Sequence, residues 1–201
     1  MIIRKLRYGA IALVISLFCS LSANAQNLRV QEKTTPTVGI KTNLLYDATA
    51  TINLGVEFKV GRQLTLDVPV NYNPFSFKDN RKWKHVLVQP ELRWWTCEPF
   101  SGHFFGLHAH YAYYNIGNLP SPFSEYMKAH RFEGWLAGAG ISYGYQFYIA
   151  PRLNLEMSVG VGYAYLKYDR YACESCGDFK GKEDKHYFGP TKASISLIYL
   201  F

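Results

Sequence analysis

The chain has 201 residues, a formal net charge of +7 and an aromatic content of 16%. This length fits one domain, and no stretch after residue 25 is apolar over the ~20 positions that a membrane-spanning helix requires. The basic residues are scattered rather than gathered into a stripe, so the composition excludes nucleic acid as a partner.

The first 25 residues have the pattern of a cleavable signal peptide. A basic start around Arg4 and Arg7 precedes an apolar run of 13 residues, Gly9 to Leu21, and Ala23-Asn24-Ala25 supplies an A-x-A cleavage site. A transmembrane anchor is the alternative, but the run is shorter than a spanning helix needs. Export leaves residues 26–37 as a flexible periplasmic lead-in and residues 38–201 as the folded domain.

Eight segments of the remaining sequence alternate apolar and polar residues with a period of two, which predicts β-strands. They are residues 38–46, 52–60, 64–72, 85–94, 105–113, 135–147, 153–165 and 187–201. The last segment carries Ala193, Ile195, Leu197, Tyr199 and Phe201 on one face. An aromatic-ended final strand is typical of outer-membrane β-barrels, and its terminal position suits recognition by the barrel-assembly machinery.

The two faces of these strands differ sharply: one is apolar, and the other is charged, small or glycine. Eight strands enclose an interior that side chains can just fill. Four cations and four anions are predicted to pair there: Lys41, Lys59, Arg93, Lys192, Glu57, Asp67, Glu91 and Glu156. A soluble lipocalin-like barrel with its apolar face inside is the alternative, but outward Trp, Tyr, Leu and Val fit lipid better. The predicted fold is all-β, an eight-stranded antiparallel up-and-down transmembrane β-barrel in contact with outer-membrane lipid.

Connection lengths favour the same fold, because outer-membrane barrels have short periplasmic turns and longer external loops. Residues 61–63, 96–102 and 150–152 are the predicted periplasmic turns, and residues 73–83, 115–131 and 169–186 are the predicted external loops. Only the first external connection, residues 47–50, is tight. Both termini are therefore expected in the periplasm.

Aromatic residues concentrate near the strand ends, as expected of girdles at the two membrane interfaces. The predicted external girdle includes Tyr46, Tyr72, Trp135 and Tyr165, and the predicted periplasmic girdle includes Trp94, Tyr199 and Phe201. Aliphatic residues lie between them. The alternative, that aromatics are merely common in strands, accounts for their number but not for their positions.

The inward residues Glu91, Arg93, His108 and His110 are the group that most resembles a catalytic site. A carboxylate that orients an imidazole can act as a general base, so an outer-membrane lipid or peptide hydrolase is one hypothesis. No serine has the spacing such an enzyme would show, and a buried ion-pair network is therefore favoured. A pH-sensitive interior is a third alternative. We predict no catalytic residue, no metal site and no cofactor.

The cysteines suggest one structural link. Cys173 and Cys176 occur in an external loop of an exported protein, where a disulfide is favoured over a redox or zinc site. Cys97, in a periplasmic turn, is the odd thiol, either free or bonded to a partner.

The external loops offer the best binding surface, since loops on a rigid scaffold often carry function. Two stretches combine aromatic, apolar and basic residues: Phe75, Phe77, Lys78, Arg81, Lys82 and Trp83, and then Pro120, Pro122, Phe123, Tyr126 and Met127. Carbohydrate, lipopolysaccharide phosphate or a protein subunit could bind there. The alternative is that the basic residues only neutralise lipid headgroups.

Six motifs of the chain carry a resemblance to a known family. They are Lys41-Thr42-Asn43-Leu44-Leu45-Tyr46-Asp47-Ala48, Gln89-Pro90-Glu91-Leu92-Arg93, Gly102-His103-Phe104-Phe105-Gly106, Gly134-Trp135-Leu136-Ala137-Gly138, Gly160-Val161-Gly162-Tyr163-Ala164-Tyr165 and Tyr187-Phe188-Gly189-Pro190-Thr191. Together they resemble a small outer-membrane β-barrel family of unknown function from Bacteroidota. Such proteins are often encoded near fimbrial components, and the family assigns no catalytic residues.

Residues and resemblance together predict a non-enzymatic outer-membrane barrel. It is expected to support a surface structure, such as a fimbria, or to recognise a surface partner through its external loops. A membrane-embedded hydrolase that uses Glu91, His108 and His110 is the alternative. A solute pore is disfavoured, because eight strands leave little open space.

Overall fold

The computed structural model describes residues 36–77, 81–117, 131–171 and 179–201. Ten strands and one short helix make up this part of the chain: β1 (Val38–Asn43), α1 (Leu44–Asp47), β2 (Ile52–Lys59), β3 (Leu64–Asn73), β4 (Ser76–Phe77), β5 (Arg81–Val88), β6 (Glu91–Trp95), β7 (Gly102–Gly117), β8 (Arg131–Ala150), β9 (Leu153–Tyr171) and β10 (Phe179–Leu200). The predicted signal peptide, residues 26–35 of the lead-in and the predicted Cys173–Cys176 disulfide lie outside the described residues.

All ten strands belong to one antiparallel sheet, and β1 pairs with β10, so that the hydrogen bonds form a ring. The ring closes at the C-terminus. There the N–H of Phe201 donates to the Val38 carbonyl at 2.9 Å, and the N–H of Thr37 donates to the Phe201 carbonyl at 3.1 Å. The prediction of an all-β antiparallel fold is confirmed.

The two ends of the ring differ in their connections. Residues 60–63, 96–101 and 151–152 form short turns at one end, which we call the turn end. At the opposite end, the mouth end, β1 stops after 6 residues whereas β8, β9 and β10 have 20, 19 and 22. The ring therefore has a low wall at β1–β3 and a tall wall at β7–β10.

The strands of the tall wall extend into segments that the sequence predicted to be external loops. Residues 169–171 and 179–186, predicted to lie in a loop, continue β9 and β10. The other two predicted loops are also shorter than expected, because residues 76–77 and 81–83 belong to β4 and β5, residues 115–117 to β7 and residue 131 to β8. The sequence of the β9 and β10 extensions lacks apolar alternation, but opposite charges face each other across the strands: Lys182 lies opposite Asp169, and Arg170 forms a 3.0 Å ion pair with Glu183. Cross-strand charge pairs stabilise a strand that apolar periodicity does not reveal.

The fourth predicted strand is divided in two. Residues 85–94 were expected to be continuous, but β5 ends at Val88 and β6 begins at Glu91. Both segments pair with β3 and with β7, so they occupy one place in the ring. Pro90 has no N–H to donate to a ladder, which accounts for the break.

The first predicted strand also ends early. Asn43 caps α1 by accepting a hydrogen bond from the N–H of Leu45 at 3.1 Å, so residues 44–46 are helical and not extended. Tyr46 is therefore not on the outer face of β1. It lines the mouth of the ring, with its ring centroid 6.5 Å from that of His85.

A β-bulge interrupts the alternation of β10. The register with β9 shifts between Pro190 and Lys192, which adds Thr191 as an extra residue. Unbroken alternation would place Tyr187 on the face that carries Ala193, but the bulge places Phe188 there, and its side chain is 82% exposed.

No helix in the described part of the chain is long and apolar enough to cross a membrane.

Candidate functional site

Three carboxylates lie directly opposite one another on adjacent strands inside the ring. Glu57 of β2 pairs in register with Asp67 of β3, and Asp67 pairs with Glu91 of β6. Like charges in this arrangement repel one another. All three side chains are fully buried, so the row requires cations from elsewhere in the ring.

Arg93 is the cation that contacts all three of these carboxylates. Its guanidinium contacts Glu57 at 2.7 Å, Asp67 at 2.7 Å and Glu91 at 2.6 Å, and it reaches across the ring to Glu156 of β9 at 2.7 Å. One side chain thus connects three neighbouring strands to the opposite wall. Because the guanidinium has several N–H donors in a fixed plane, an arginine can satisfy this many acceptors at once.

Two lysines complete the cluster. Lys41 of β1 lies 2.6 Å from Glu57, 3.1 Å from Asp67 and 3.4 Å from Glu156, and Lys192 of β10 lies 2.6 Å from Glu91. We call this group the interior charge cluster: Lys41, Glu57, Asp67, Glu91, Arg93, Glu156 and Lys192. Lys59, predicted to belong with them, is half-buried near the turn end, and no ion pair joins it to the described residues.

Glycines make room for these large side chains. A Cβ at Gly55 would lie 2.7 Å from Lys41 Cγ, and a Cβ at Gly106 would lie 2.5 Å from Glu91 Oε1. Gly106 also leaves space for the hydroxyl of Ser142, which donates to Glu91 Oε1. The glycines that alternate with apolar residues in the sequence are therefore part of the interior packing.

His108 and His110 lie beside the cluster, with ring centroids 5.7 Å apart. The Nδ1 atom of His108 is 4.0 Å from Glu91 Oε1, and its Nε2 is 2.9 Å from the hydroxyl of Thr191 in the β10 bulge. The amide of Gln89 donates to the Thr191 carbonyl at 3.0 Å. The break between β5 and β6 and the bulge of β10 thus meet inside the ring.

The turn end is closed by aromatic and aliphatic side chains rather than by charges. Trp95 and Phe104 are fully buried with ring centroids 4.9 Å apart, and Phe100 packs on Trp95 at 6.1 Å. Ile198 and Leu200 contact the same group. We call these five residues the aromatic plug. Phe100 adopts a left-handed φ of 65°, which is unfavourable for a non-glycine residue and is held here by burial of the ring.

The plug and the cluster are linked by polar bonds. The indole N–H of Trp95 donates to the Thr65 hydroxyl at 2.8 Å, and that hydroxyl donates to Glu57 at 2.5 Å. Arg93 also lies over the ring of Phe104, 4.4 Å from its centroid. The prediction that the interior is filled by charged or small residues is therefore wrong at the turn end.

A cavity of about 30 Å³ opens above the cluster at the mouth end. Its lining includes Lys41, Asp67 and Glu156 and the amides of Asn53, Asn71 and Gln89. The Oδ1 atom of Asp67 has no hydrogen-bond partner among the described residues. A space of this size suits one or two waters, so the cavity can hydrate the cluster but is too small for a substrate.

The outer face of the ring is apolar, with aromatic residues near both ends. At the mouth end Trp135 stacks on Tyr111 at 6.3 Å and contacts Tyr165 at 5.9 Å. At the turn end Trp94 stacks on Phe105 at 6.2 Å, and Tyr199 lies 4.9 Å from Phe201. Tyr72 is also exposed on the outer face. Of the predicted girdle residues, only Tyr46 departs from this arrangement.

Cys97 is a free, exposed thiol in the turn of residues 96–101. Within the described residues, no group of three or more His, Cys, Asp or Glu side chains could hold a metal ion.

Sequence reasoning missed four residues that join the strands of the interior: Gln89, Thr191, Ser142 and Trp95. The signal for Trp95 was present, because it shares a strand face with Arg93. The sequence also indicated that Ser142 faces inward, because in the sixth predicted strand it lies on the same face as the glycines. Thr191 could not have been assigned, since its position depends on the bulge.

These features define the class of protein: a closed ring of antiparallel strands with a charged interior, one plugged end and an apolar exterior. Residues 11–201 match the model of a family described as "Protein of unknown function (DUF3575)", and because this covers almost the whole chain, the protein belongs to that family. The expectation of an uncharacterised family is thereby confirmed. No curated protein and no solved structure matches the chain.

Proposed function

We propose that this protein is an outer-membrane β-barrel that does not conduct solutes and that presents its mouth end at the cell surface to support or recognise a partner. The observation that carries the proposal is the inverted distribution of polarity. The interior charge cluster is buried, whereas Leu107, Ile141 and Val159 on three neighbouring strands are each more than 60% exposed. A water-soluble protein rarely exposes a continuous apolar band of this kind.

The distribution of side chains along the ring supports placement in a bilayer. Aliphatic residues occupy the middle of the outer face, and the aromatic contacts lie toward its two ends, as in barrels that cross a membrane. Short turns at one end and a tall wall at the other match periplasmic and external sides, respectively. The predicted signal peptide supplies the export step that this location needs.

Placement can be tested by heat-modifiable migration in detergent gels together with cell fractionation. We expect the unheated protein to migrate faster than the heated protein and to sediment with outer membranes. Recovery of the folded protein from the soluble periplasm would contradict the placement. Single-channel recordings should stay at the baseline of empty bilayers, because the cluster and the aromatic plug fill the ring.

A surface role is supported by the asymmetry of the ring and by the family resemblance. The plug closes the turn end, so any ligand must approach from the mouth end, where the tall wall projects. The resemblance suggests a fimbria as the supported structure. Cells that lack the protein should carry fewer surface fibres in immunogold counts, and the wild-type gene should restore them. Unchanged fibre numbers would remove the fimbrial version of the proposal.

A hydrolase is the second candidate, and Thr191 is the observation that favours it. The contact between its hydroxyl and His108 Nε2, with Glu91 beside the other ring nitrogen, has the arrangement of a nucleophile, a base and an orienting carboxylate. The 4.0 Å separation of His108 and Glu91 is longer than a hydrogen bond, and the nearby cavity is small.

Replacing Thr191 by valine tests that candidate, because valine keeps the shape and removes the hydroxyl. An enzyme would lose ester or peptide hydrolysis measured with purified folded barrel, while its heat-modifiable migration persisted. We expect no hydrolysis by either the wild type or T191V. Hydrolysis that T191V abolishes would establish the enzyme.

A further inference from the structure

Strand β10 has an open edge at the mouth end. It pairs with β9 from Phe179 to Tyr199 but with β1 only from Ser196 to Leu200. On the mouth-end side of Ser196, no strand of the described part of the chain pairs with the edge of β10 that faces away from β9. Among the described residues, the backbone on that side therefore has no ladder partner over most of the length of β10.

Side chains satisfy the lowest part of this edge. The amide of Asn43 donates to the Ala193 carbonyl at 3.5 Å and accepts from the N–H of Ile195 at 3.2 Å. The Thr191 carbonyl accepts from Gln89. These contacts continue the ladder for a few residues beyond the end of β1. The open edge is therefore the stretch of β10 from Lys182 to Gly189, on the mouth-end side of Pro190.

The open edge lies where water can reach it. Beside it on the outer face, His186 packs on Tyr165 at the level of the mouth-end aromatic residues, and the exposed Lys182 and Asp184 lie further out. An unpaired edge is tolerated in water but not in the hydrocarbon of a bilayer. The register with β9 is continuous from Lys182 to Pro190, so no bulge blunts this stretch.

We infer that this open edge binds an extended peptide segment of a partner protein, which adds a strand to β10. The inference rests on the proposed membrane placement. Strand addition uses main-chain hydrogen bonds for affinity and alternate side chains for specificity. Phe188, the most exposed large apolar side chain among the described residues, marks one end of the edge. The segment therefore carries an apolar residue at this end and charges that complement Lys182, Asp184 and Lys185 at the other.

A second copy of this chain fits the same edge less well. Two copies inserted in one membrane run in the same direction, so their β10 edges cannot form an antiparallel ladder and can meet only as a parallel pair, which is less stable per residue. A segment of a separate protein has no such constraint, because it can approach the mouth end in either direction.

The test uses short random peptides displayed on phage and selected against purified folded barrel in detergent. Selected peptides should alternate apolar and polar residues. Each is then made in two N-methylated versions, one blocking the odd N–H groups and the other blocking the even ones. Strand addition predicts that one version loses binding and that the other retains it, because only alternate N–H groups face β10.

Hydrogen exchange locates the site. Bound peptide should slow exchange at alternate amides between Lys182 and Gly189, while the amides bonded to β9 stay protected throughout. The variant F188S should weaken binding about tenfold, since it removes an apolar side chain that the bound peptide buries. The control F105S changes an exposed phenylalanine at the turn end, far from this edge, and should bind as the wild type does.

Equal binding by both N-methylated versions, protection elsewhere in the chain, or no selected peptide would overturn the inference. A dimer in light scattering that F188S dissociates would also overturn it, in favour of a second copy. None of these results depends on heat-modifiable migration or fractionation. Failure of the strand-addition inference is therefore distinguishable from failure of the proposed membrane placement.

Discussion

The interior charge cluster and the aromatic plug fill the same ring by opposite means. In the plug, each side chain is stabilised by the apolar area that it buries, so its members contribute separately. In the cluster, every carboxylate depends on cations from other strands. Arg93 alone contacts all four carboxylates. From this comparison we expect that a charged interior stabilises the ring only when it is complete.

Replacement of Arg93 by methionine should have the largest effect. It leaves four buried carboxylates with two lysines, and we expect a loss of about 4 kcal/mol in the free energy of unfolding. Urea titration of the barrel in detergent, followed by tryptophan fluorescence, measures it. The exposed turn-end residue Arg152 supplies the control R152M, which should be neutral. An unchanged midpoint for R93M would show that the cluster is not cooperative.

Phe104→Ala should destabilise the protein somewhat less, by about 3 kcal/mol, because the cost is confined to lost burial and a cavity. The adjacent residue provides a matched control, since Phe105 points outward. In detergent gels, F104A should lose its fast-migrating form at a lower temperature than F105A. Equal melting of the two variants would contradict the assignment of inner and outer faces.

Lys192→Met should cost about 2 kcal/mol, the usual loss for a hydrogen bond between charged groups. Glu91 keeps Arg93 and Ser142 as partners, so the effect should be smaller than that of R93M. The two variants also test cooperativity. If the cluster acts as a unit, the double variant R93M/K192M should lose less stability than the sum of the single losses.

Lys59→Met should change the free energy of unfolding by less than about 0.5 kcal/mol, as expected for a half-buried side chain that forms no ion pair with the described residues. The same urea titration measures it. A loss comparable with that of K192M would mean that Lys59 belongs to the cluster after all, as the sequence predicted.

The fold was predictable wherever apolar alternation was strong. Strands β2 and β3 agree with the predicted bounds within one residue, and β7, β8 and β9 contain the predicted segments but extend beyond them. Each has one polar and one apolar face, and a slip of one residue would exchange the faces. The inward side chains Lys41, Glu57, Asp67, Glu91, Arg93, Glu156 and Lys192 follow from the same parity. The extensions of β9 and β10 were missed, since charge pairing between strands leaves no period in either strand alone.

The sequence by itself determined the two faces, the ring's charged content and the short turns, because these depend on local spacing. Only the tertiary structure decided which charges meet. Arg93 and Glu156 are far apart in the chain and reach each other only when the ring closes. The bulge at Thr191, the plug around Trp95 and the open edge of β10 were decided in the same way. They depend on the relative lengths and registers of strands, which no single strand encodes.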